Sequence, residues 1–599
     1  MTLLHQPHHD GSARFVPDQT PLLGRHSTLF VLVPQRAGVN SVHVRSAPDA
    51  EPCFTPAVID RVVGDDTWWR AEIEVRKPVT NYRFLLSGPG GSRWLNAQGV
   101  FSYDVPDVTD FRLVAWDPPP AWAADAVVYE IFPDRFARSA AASGRPLPDW
   151  AIACDWDTPV VGSGPETPYQ LYGGDLDGVV ERLDHVASLG VNTVYLTPIF
   201  PARSNHRYDA AAFDRVDPLL GGNEALARLA AALRQRGLRL LGDITTNHCG
   251  QTHPWFAAAM AEESAVEREM FYLDGDDYET WMGVKSLPKL NWASGELRRR
   301  FLDGPDSVSQ RWLRSPYSLD GWRVDVANMT GRRGAEDYNH EVAALMRQAV
   351  AGTDGLLVAE HAHDASGDLD RDGWHAAMNY AGFTRPVWNW LRSDEAAGWH
   401  FLGVPGGIPR RTGVEAAATM RSFGAQMSWR SRTHSWNLLG SHDTARIRTV
   451  VGESGVEAAL GLLMTSPGTP MVFAGDEIGL TGVNGEDARR PMPWAAGWDT
   501  ATLDRYRTLI RLRTGSEALR RGGQRWAHIG EDSLAFLREA NGERLLVCVR
   551  RRDGEPVRVP GTGAREVTTV YGGDAASVTA DATVLLAGHG PACQILRLS

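Results

Sequence analysis

The sequence predicts an α/β chain built on a parallel (β/α)8 TIM barrel, with an inserted lobe after the third strand and a β-sandwich at each end. Three observations predict it. Between about residues 119 and 514, short apolar β-type runs alternate with amphipathic stretches, the rhythm of strands joined by crossover helices. The candidate strands number eight, the count that closes such a sheet. Before 118 and after 515, period-two runs broken by Gly, Pro and Asp replace that rhythm and mark antiparallel sandwiches.

At 599 residues the chain exceeds what one core supports. The expected units are 1–118, 119–514 with a lobe at 249–294, and 515–599. A hydrophobic fraction of 43% with 22% charged residues is that of a soluble globular protein. A formal net charge of -12 and the lack of a basic stripe argue against a nucleic-acid partner. No run approaches the ~20 apolar residues of a membrane span, so no membrane partner is expected. The polar, histidine-bearing start lacks the basic and apolar segments of a secretory signal. Cys53, Cys154, Cys249, Cys548 and Cys593 are scattered and form no CxxC pair, which suits a reducing cytoplasm and neither a disulfide frame nor a zinc site. His5, His8 and His9 read as histidines of an exposed terminus rather than metal ligands.

In the first unit the alternating runs are Thr28 to Val33, Ser41 to Val44, Trp69 to Val75 and Asn81 to Leu86. Trp68, Trp69 and Trp94 fit either a core or a sugar-stacking face, with the core favoured. The proline-rich Asp117 to Pro120 is a linker. The barrel strands are then Val127 to Phe132, Thr193 to Thr197, Leu238 to Ile244, Gly321 to Ala327, Leu356 to Glu360, Ala376 to Tyr380, Trp436 to Gly440 and Pro470 to Ala474. Glu224 to Arg236 and Val342 to Ala351 are representative helices. The link from about Cys249 to Ser294 is far longer than a strand-to-helix turn needs, and such connections are usually functional. Leu534 to Leu537, Arg544 to Arg550 and Gln594 to Leu598 open the last sandwich.

A parallel barrel collects the carboxyl ends of its strands at one mouth, where the chemistry sits. On the fourth strand, Arg323 and Asp325 share one face while Trp322, Val324 and Val326 take the other. Alone, that pair fits a structural ion pair as well as a catalytic one. The neighbouring strand ends favour catalysis. The third brings Asp243, Thr246, Asn247 and His248, the fifth Glu360, and the seventh Ser441, His442 and Asp443; His206, Arg207, Tyr208 and Asp209 follow the second. Several unpaired buried carboxylates at one mouth would each be costly unless used. Paired carboxylates serve retaining glycoside cleavage. Asp325 beside Arg323 suits the ionised nucleophile, Glu360 after an apolar run suits the acid with a raised pKa, and Asp443 suits stabilisation of positive charge on a sugar ring.

These segments carry a resemblance to the alpha-amylase family of glycoside hydrolases, family 13. They are D-I-T-T-N-H from Asp243, G-W-R-V-D from Gly321, V-A-E from Val358 and S-H-D from Ser441. The resemblance implies Asp325 as nucleophile, Glu360 as general acid/base and Asp443 as transition-state stabiliser. It implies that His248, Arg323 and His442 hold the reacting sugar, that Tyr208 stacks on it, and that Asp243 and Asn247 shape the site beneath. Further segments resemble the neopullulanase and cyclomaltodextrinase branch: S-N-H-R-Y-D from Ser204 with His206, L-P-K-L-N from Leu287, V-A-N at Val326 to Asn328, and R-R-P-M-P-W with Arg489. Members of that branch carry such an N-terminal sandwich, and many dimerise through it, so a homodimer is implied.

The sequence departs from the branch at Met329, where Glu is usual, and at Ala362, where Trp is usual. Both positions border the acceptor subsites. Gly485 and Glu486 replace an Asp-Pro pair in the last barrel loop, beside the second donor subsite. The calcium cluster of relatives is here Ala137 to Ser143, without carboxylates; Asp175 alone does not supply the six to eight oxygens calcium takes, so no metal or other cofactor is expected. The reading is a retaining hydrolase of α-1,4 bonds in short or cyclic maltooligosaccharides, including pullulan and cyclic saccharides containing α-1,6 links, such as a cyclic maltosyl-maltose. A transglycosylase or α-glucosidase of the same family and a silent carbohydrate-binding scaffold are the alternatives.

Overall fold

The computed structural model describes residues 2–573 and 575–599. Eight parallel strands form one sheet: β1 (Val128–Ile131), β2 (Thr193–Leu196), β3 (Arg239–Thr245), β4 (Gly321–Asp325), β5 (Leu356–Ala359), β6 (Ala376–Ala377), β7 (Trp436–Leu438) and β8 (Thr469–Phe473). The hydrogen-bonded order runs β6-β5-β4-β3-β2-β1-β8-β7. A parallel bridge between Met378 and Trp436 brings the two ends together, so the sheet curls into the expected barrel. Every strand of β1, β2, β4, β5, β7 and β8 is buried along its whole length, the pattern of strands covered on both faces.

Each of the eight sequence-predicted strands has its counterpart, shifted by at most a few residues at its ends. Leu226, Leu229 and Leu233, spaced at helical period, bury one face of the helix Gly222–Gln235. Trp322 points away from the barrel interior, fully buried, and its indole N–H donates to the Ser309 carbonyl at 2.9 Å. The alternation inferred for β4 therefore holds up to Asp325, whereas Val326, expected on the Trp322 face, lies beyond the strand in a left-handed turn. Gly321 at φ +138° sits against the Leu356 backbone, where a Cβ would come within 2.1 Å of the carbonyl oxygen.

The lobe after β3 contains the helix Pro254–Ala261 and returns along antiparallel bridges that pair His248 with Lys289 and Phe271 with Leu290. Residues 26–114 form a three-stranded and a six-stranded sheet around their own core of Val31, Val44, Tyr82, Phe84 and neighbours. A five-stranded and a three-stranded sheet follow the last barrel helices, with Ala535, Leu537 and Leu546 between them.

One sequence expectation needs correction, and the structure gives roles to residues that the sequence left open. The N-terminal histidines are not on a free end: His8 exchanges backbone hydrogen bonds with Leu32, and His9 is buried with its ring bonded to the Phe30 carbonyl at 2.7 Å and Tyr82 Oη at 2.8 Å. Burial holds the His9 imidazole down at about 4. The polar spelling of this segment hid a strand-like pairing. Asp175 is not a stray metal ligand: its carboxylate caps the helix Leu176–Glu181, accepts from Ser139 and pairs with Arg145 at 2.8 Å. Trp68 and Trp69 are buried, whereas Trp94 stays partly open. Among the described residues, no helix is long and apolar enough to cross a membrane, and no group of three or more His, Cys, Asp and Glu could hold a metal ion.

Candidate active site

Loops at the carboxyl ends of the strands enclose a cavity of about 1010 Å³. Its wall includes Asp325, Val326 and Asn328 beyond β4, Glu360 beyond β5, Asp443 beyond β7 and Arg489 beyond β8. His206 and Tyr208 from the loop after β2, and His248 from β3's exit, complete the predicted set that faces the space. The other four predicted residues, Asp243, Asn247, Arg323 and His442, are buried beneath and reach the cavity through those neighbours.

Arg323 organises the floor. It has no exposed surface, and its Nη1 donates to Asp325 Oδ1 at 2.8 Å and to Asp243 at 3.1 Å, while Nη2 lies 3.3 Å from Glu360 Oε2. One guanidinium thus bridges three carboxylates. Lateral registry makes this possible, because Asp243 on β3 and Arg323 on β4 are direct strand partners. Tyr195 Oη donates to an Asp243 oxygen at 2.5 Å, and Tyr208 Oη lies 3.0 Å from the same oxygen.

The electrostatics differ in one respect from the sequence expectation. Burial first, and the Glu360 carboxylate second, push the Asp325 carboxyl well above the usual carboxylate range, and Arg323 pulls it back only in part. Arg323 is therefore not sufficient by itself to set an ordinary carboxylate at position 325. Burial similarly lifts Asp243 to about 6. The three histidines are neutral: burial lowers His248 to about 3, His442 to about 4, and His206 well below its usual value, with nearby cations adding in each case. They serve as hydrogen-bonding groups rather than charges. His206 Nδ1 accepts the Tyr208 backbone N–H at 3.1 Å, which leaves its Nε2–H free to donate.

Two participants, Glu130 and Lys289, were missed by the sequence reading. Glu130 on β1, fully buried, is hydrogen-bonded to His442 Nδ1, and His442 Nε2 meets Tyr208 Oη at 2.6 Å and Asp443 at 3.2 Å. Its signal was a lone carboxylate in the apolar run V-V-Y-E-I-F. Lys289 of the lobe donates to Asn247 Oδ1 at 2.5 Å and the Met329 carbonyl at 3.2 Å, tying the lobe to β3 and to the loop after β4. Burial lowers its ammonium to about 8. Arg489 donates to Asp443 at 3.2 Å and to Glu486 at 3.0 Å, so Glu486 faces the cavity in the last barrel loop. Met329 and Ala362, the two departures on the acceptor side, both line the wall.

A parallel barrel whose mouth gathers three carboxylates around one buried arginine, in a cavity large enough for several sugar rings, defines a glycoside hydrolase. Residues 130–518 match the catalytic-domain model of alpha amylase, and the chain belongs to the alpha-amylase family. A cyclomaltodextrinase from a Bacillus species is 31% identical over 514 residues, covering 80% of this chain and 84% of its own. A solved structure named cyclomaltodextrinase superposes with a TM-score of 0.74 at 26% identity, covering 99% of this chain and 100% of that one. The ligand-free cyclic alpha-maltosyl-(1→6)-maltose hydrolase from Arthrobacter globiformis does so with a TM-score of 0.65 at 32% identity, over 80% of this chain and 99% of that one.

Proposed function

We propose that the chain is a retaining hydrolase of α-1,4-glucosidic bonds in cyclic and short maltooligosaccharides, including rings that contain α-1,6 links. The observation that carries this reading is the Arg323 bridge between Asp325 and Glu360 on the cavity floor. In the first step Glu360 gives its proton to the glycosidic oxygen, and an Asp325 oxygen attacks the anomeric carbon from the opposite face, forming a covalent glycosyl ester. Arg323, 2.8 Å from Asp325 Oδ1, opposes the burial that raises this carboxyl and so works toward the ionised nucleophile. In the second step Glu360 takes a proton from water, whose oxygen displaces Asp325 and restores the α configuration. Asp443, 28% exposed at its side chain and held by Arg489, faces the positive charge that develops on the ring. His206, Tyr208, His248, Val326 and Asn328 contact the sugar; Asp243, Asn247 and His442 support them from below.

The relatives named for cyclic maltosaccharides support this substrate class. A panel of cyclomaltodextrins, pullulan, linear maltooligosaccharides and cyclic maltosyl-maltose, compared by kcat/KM with NMR of the first anomer released, tests it. Release of α-anomer with preference for a cyclic substrate is expected. Release of β-anomer, or predominant glycosyl transfer at every substrate concentration, would remove the reading.

The same reading divides the chain near 118 and 514 and makes it a cytoplasmic homodimer joined through its first unit. Five free cysteines suit a reducing compartment. The edge strand Val58–Val63 supports the dimer: all six residues are exposed, with Val58, Ile59, Val62 and Val63 each more than half open. Sedimentation should give twice the 65.6 kDa chain mass, and Ile59→Asp with Val62→Asp should halve it; a wild-type monomer at micromolar concentration would sink this part.

A further inference from the structure

Trp150 and Tyr169 line the cavity, yet neither belongs to any hydrophobic core of the protein. Their ring centroids are 6.2 Å apart at 60°, and Tyr169 is 40% exposed. Both stand on the long connection between β1 and β2, and the backbone holds them side by side. Ile152–Ala153 pairs in parallel with Gln170–Leu171, which places each aromatic one or two residues ahead of the same short clip. The clip is anchored to the floor by Asn205, next to His206. Asn205 Nδ2 donates to the carbonyls of Thr167 at 2.7 Å and Gln170 at 3.1 Å, its backbone N–H donates to Pro168 at 2.6 Å, and Arg135 donates to Gln170 at 3.1 Å. On the far side, Asn484 Nδ2 donates to the Gly162 carbonyl at 3.0 Å, so the connection abuts the loop after β8 that carries Arg489.

The contrast with another tryptophan of the same connection is informative. Trp156 spends its indole N–H on the Met492 carbonyl at 2.8 Å, as a packing tryptophan does. Among the described residues, the Trp150 indole N–H and the Tyr169 hydroxyl have no protein partner. Two cavity-lining rings with unspent donors, held beside each other by the clip, present an apolar surface for the C–H face of a pyranose and polar edges for its hydroxyls.

We infer that Trp150 and Tyr169 form a remote glucosyl-binding platform on the Arg489 side of the cavity, which engages only substrates long enough to extend past the units held at the carboxylates. This rests on the glucan reading above. The platform contributes to capture of the longer chain and makes the enzyme discriminate by length, with no part in bond cleavage.

The test compares full-length wild type, Trp150→Ala, Tyr169→Ala and Trp150→Phe on maltotriose and maltohexaose. Trp150→Ala is expected to lower kcat/KM for maltohexaose about tenfold, with maltotriose changed less than about twofold, and Trp150→Phe to recover most of the loss. Tyr169→Ala should act in the same direction. Equal losses on both substrates, or no loss on either, would overturn the platform while leaving the hydrolase reading intact. A wild type that cleaves neither substrate would overturn the glucan reading and the platform with it.

Discussion

The backbone N–H of Val326 donates a 2.8 Å hydrogen bond to Oε2 of Glu360, and it does so from a left-handed conformation at φ +45°. A β-branched residue rarely adopts that conformation, because its Cβ crowds the backbone, at roughly 1–2 kcal/mol. The strain turns the chain immediately after Asp325 so that the next amide faces the neighbouring strand's carboxylate. Two of the three candidate catalytic groups, Asp325 and Glu360, are thus held by two features of β4 and its exit, the Arg323 guanidinium and the Val326 amide.

Glycine at 326 would keep the amide and remove the crowding. Val326→Gly should therefore retain stability within about 1 kcal/mol of wild type despite losing an isopropyl group, and should keep Glu360 in place. The same change at Val324, fully buried in β4, should cost about 3 kcal/mol or more, since it opens a cavity in a regular strand. Chemical denaturation of both variants checks the contrast; equal costs would mean that position 326 is not strained.

Arg323 lowers a carboxyl that burial and Glu360 raise. Arg323→Met removes the only one of these influences that favours ionisation of Asp325. The acid limb of kcat/KM should move to higher pH and kcat should fall by about 10² or more, because both carboxylates lose their common partner. An unmoved acid limb would show that Arg323 does not tune the pair.

The raised Asp325 pKa also has a stability consequence. A carboxyl whose folded pKa exceeds its unfolded value near ~3.9 contributes stability below that value and loses it as pH rises through the folded pKa. At neutral pH the wild type bears this loss, whereas Asp325→Asn does not titrate. The variant should be more stable than wild type at pH 7, with the gap closing toward pH 4. A gap that is constant with pH would contradict the account.

Glu130 shows what a single chain could and could not disclose. The barrel was legible because burial on both faces of each strand writes continuous apolar runs, and all eight emerged within a few residues of their ends. The strand-end carboxylates were legible for the opposite reason: Asp325, Glu360 and Asp443 are charges where apolar residues are expected. The Glu130 to His442 contact spans 312 positions, and no local period encodes which strands of a closed sheet become neighbours. The Trp150 clip was invisible likewise, since two-residue strands leave no periodicity, and the His9 contacts were masked by a polar terminus.

His442 is neutral, with burial lowering it against the pull of Glu130. A hydrogen from Nδ1 to Glu130 leaves Nε2 to accept from Tyr208. Glu130→Leu should strand that buried N–H, costing about 1–3 kcal/mol of stability as well as activity. Glu130→Gln preserves an acceptor and should keep the fold while lowering kcat about tenfold, an effect read from kcat at saturating substrate. Wild-type kcat in both variants would remove Glu130 from the supporting set.

The central claim is that Asp325 attacks the sugar. A fluorinated maltosyl fluoride, whose ring fluorine slows breakdown of the covalent intermediate more than its formation, traps whichever residue attacks. Peptide mass spectrometry of the inactivated protein should place one fluoroglycosyl ester on the peptide carrying Asp325, with Asp325→Asn forming none. An ester on any other carboxylate, or turnover without an ester, would contradict it.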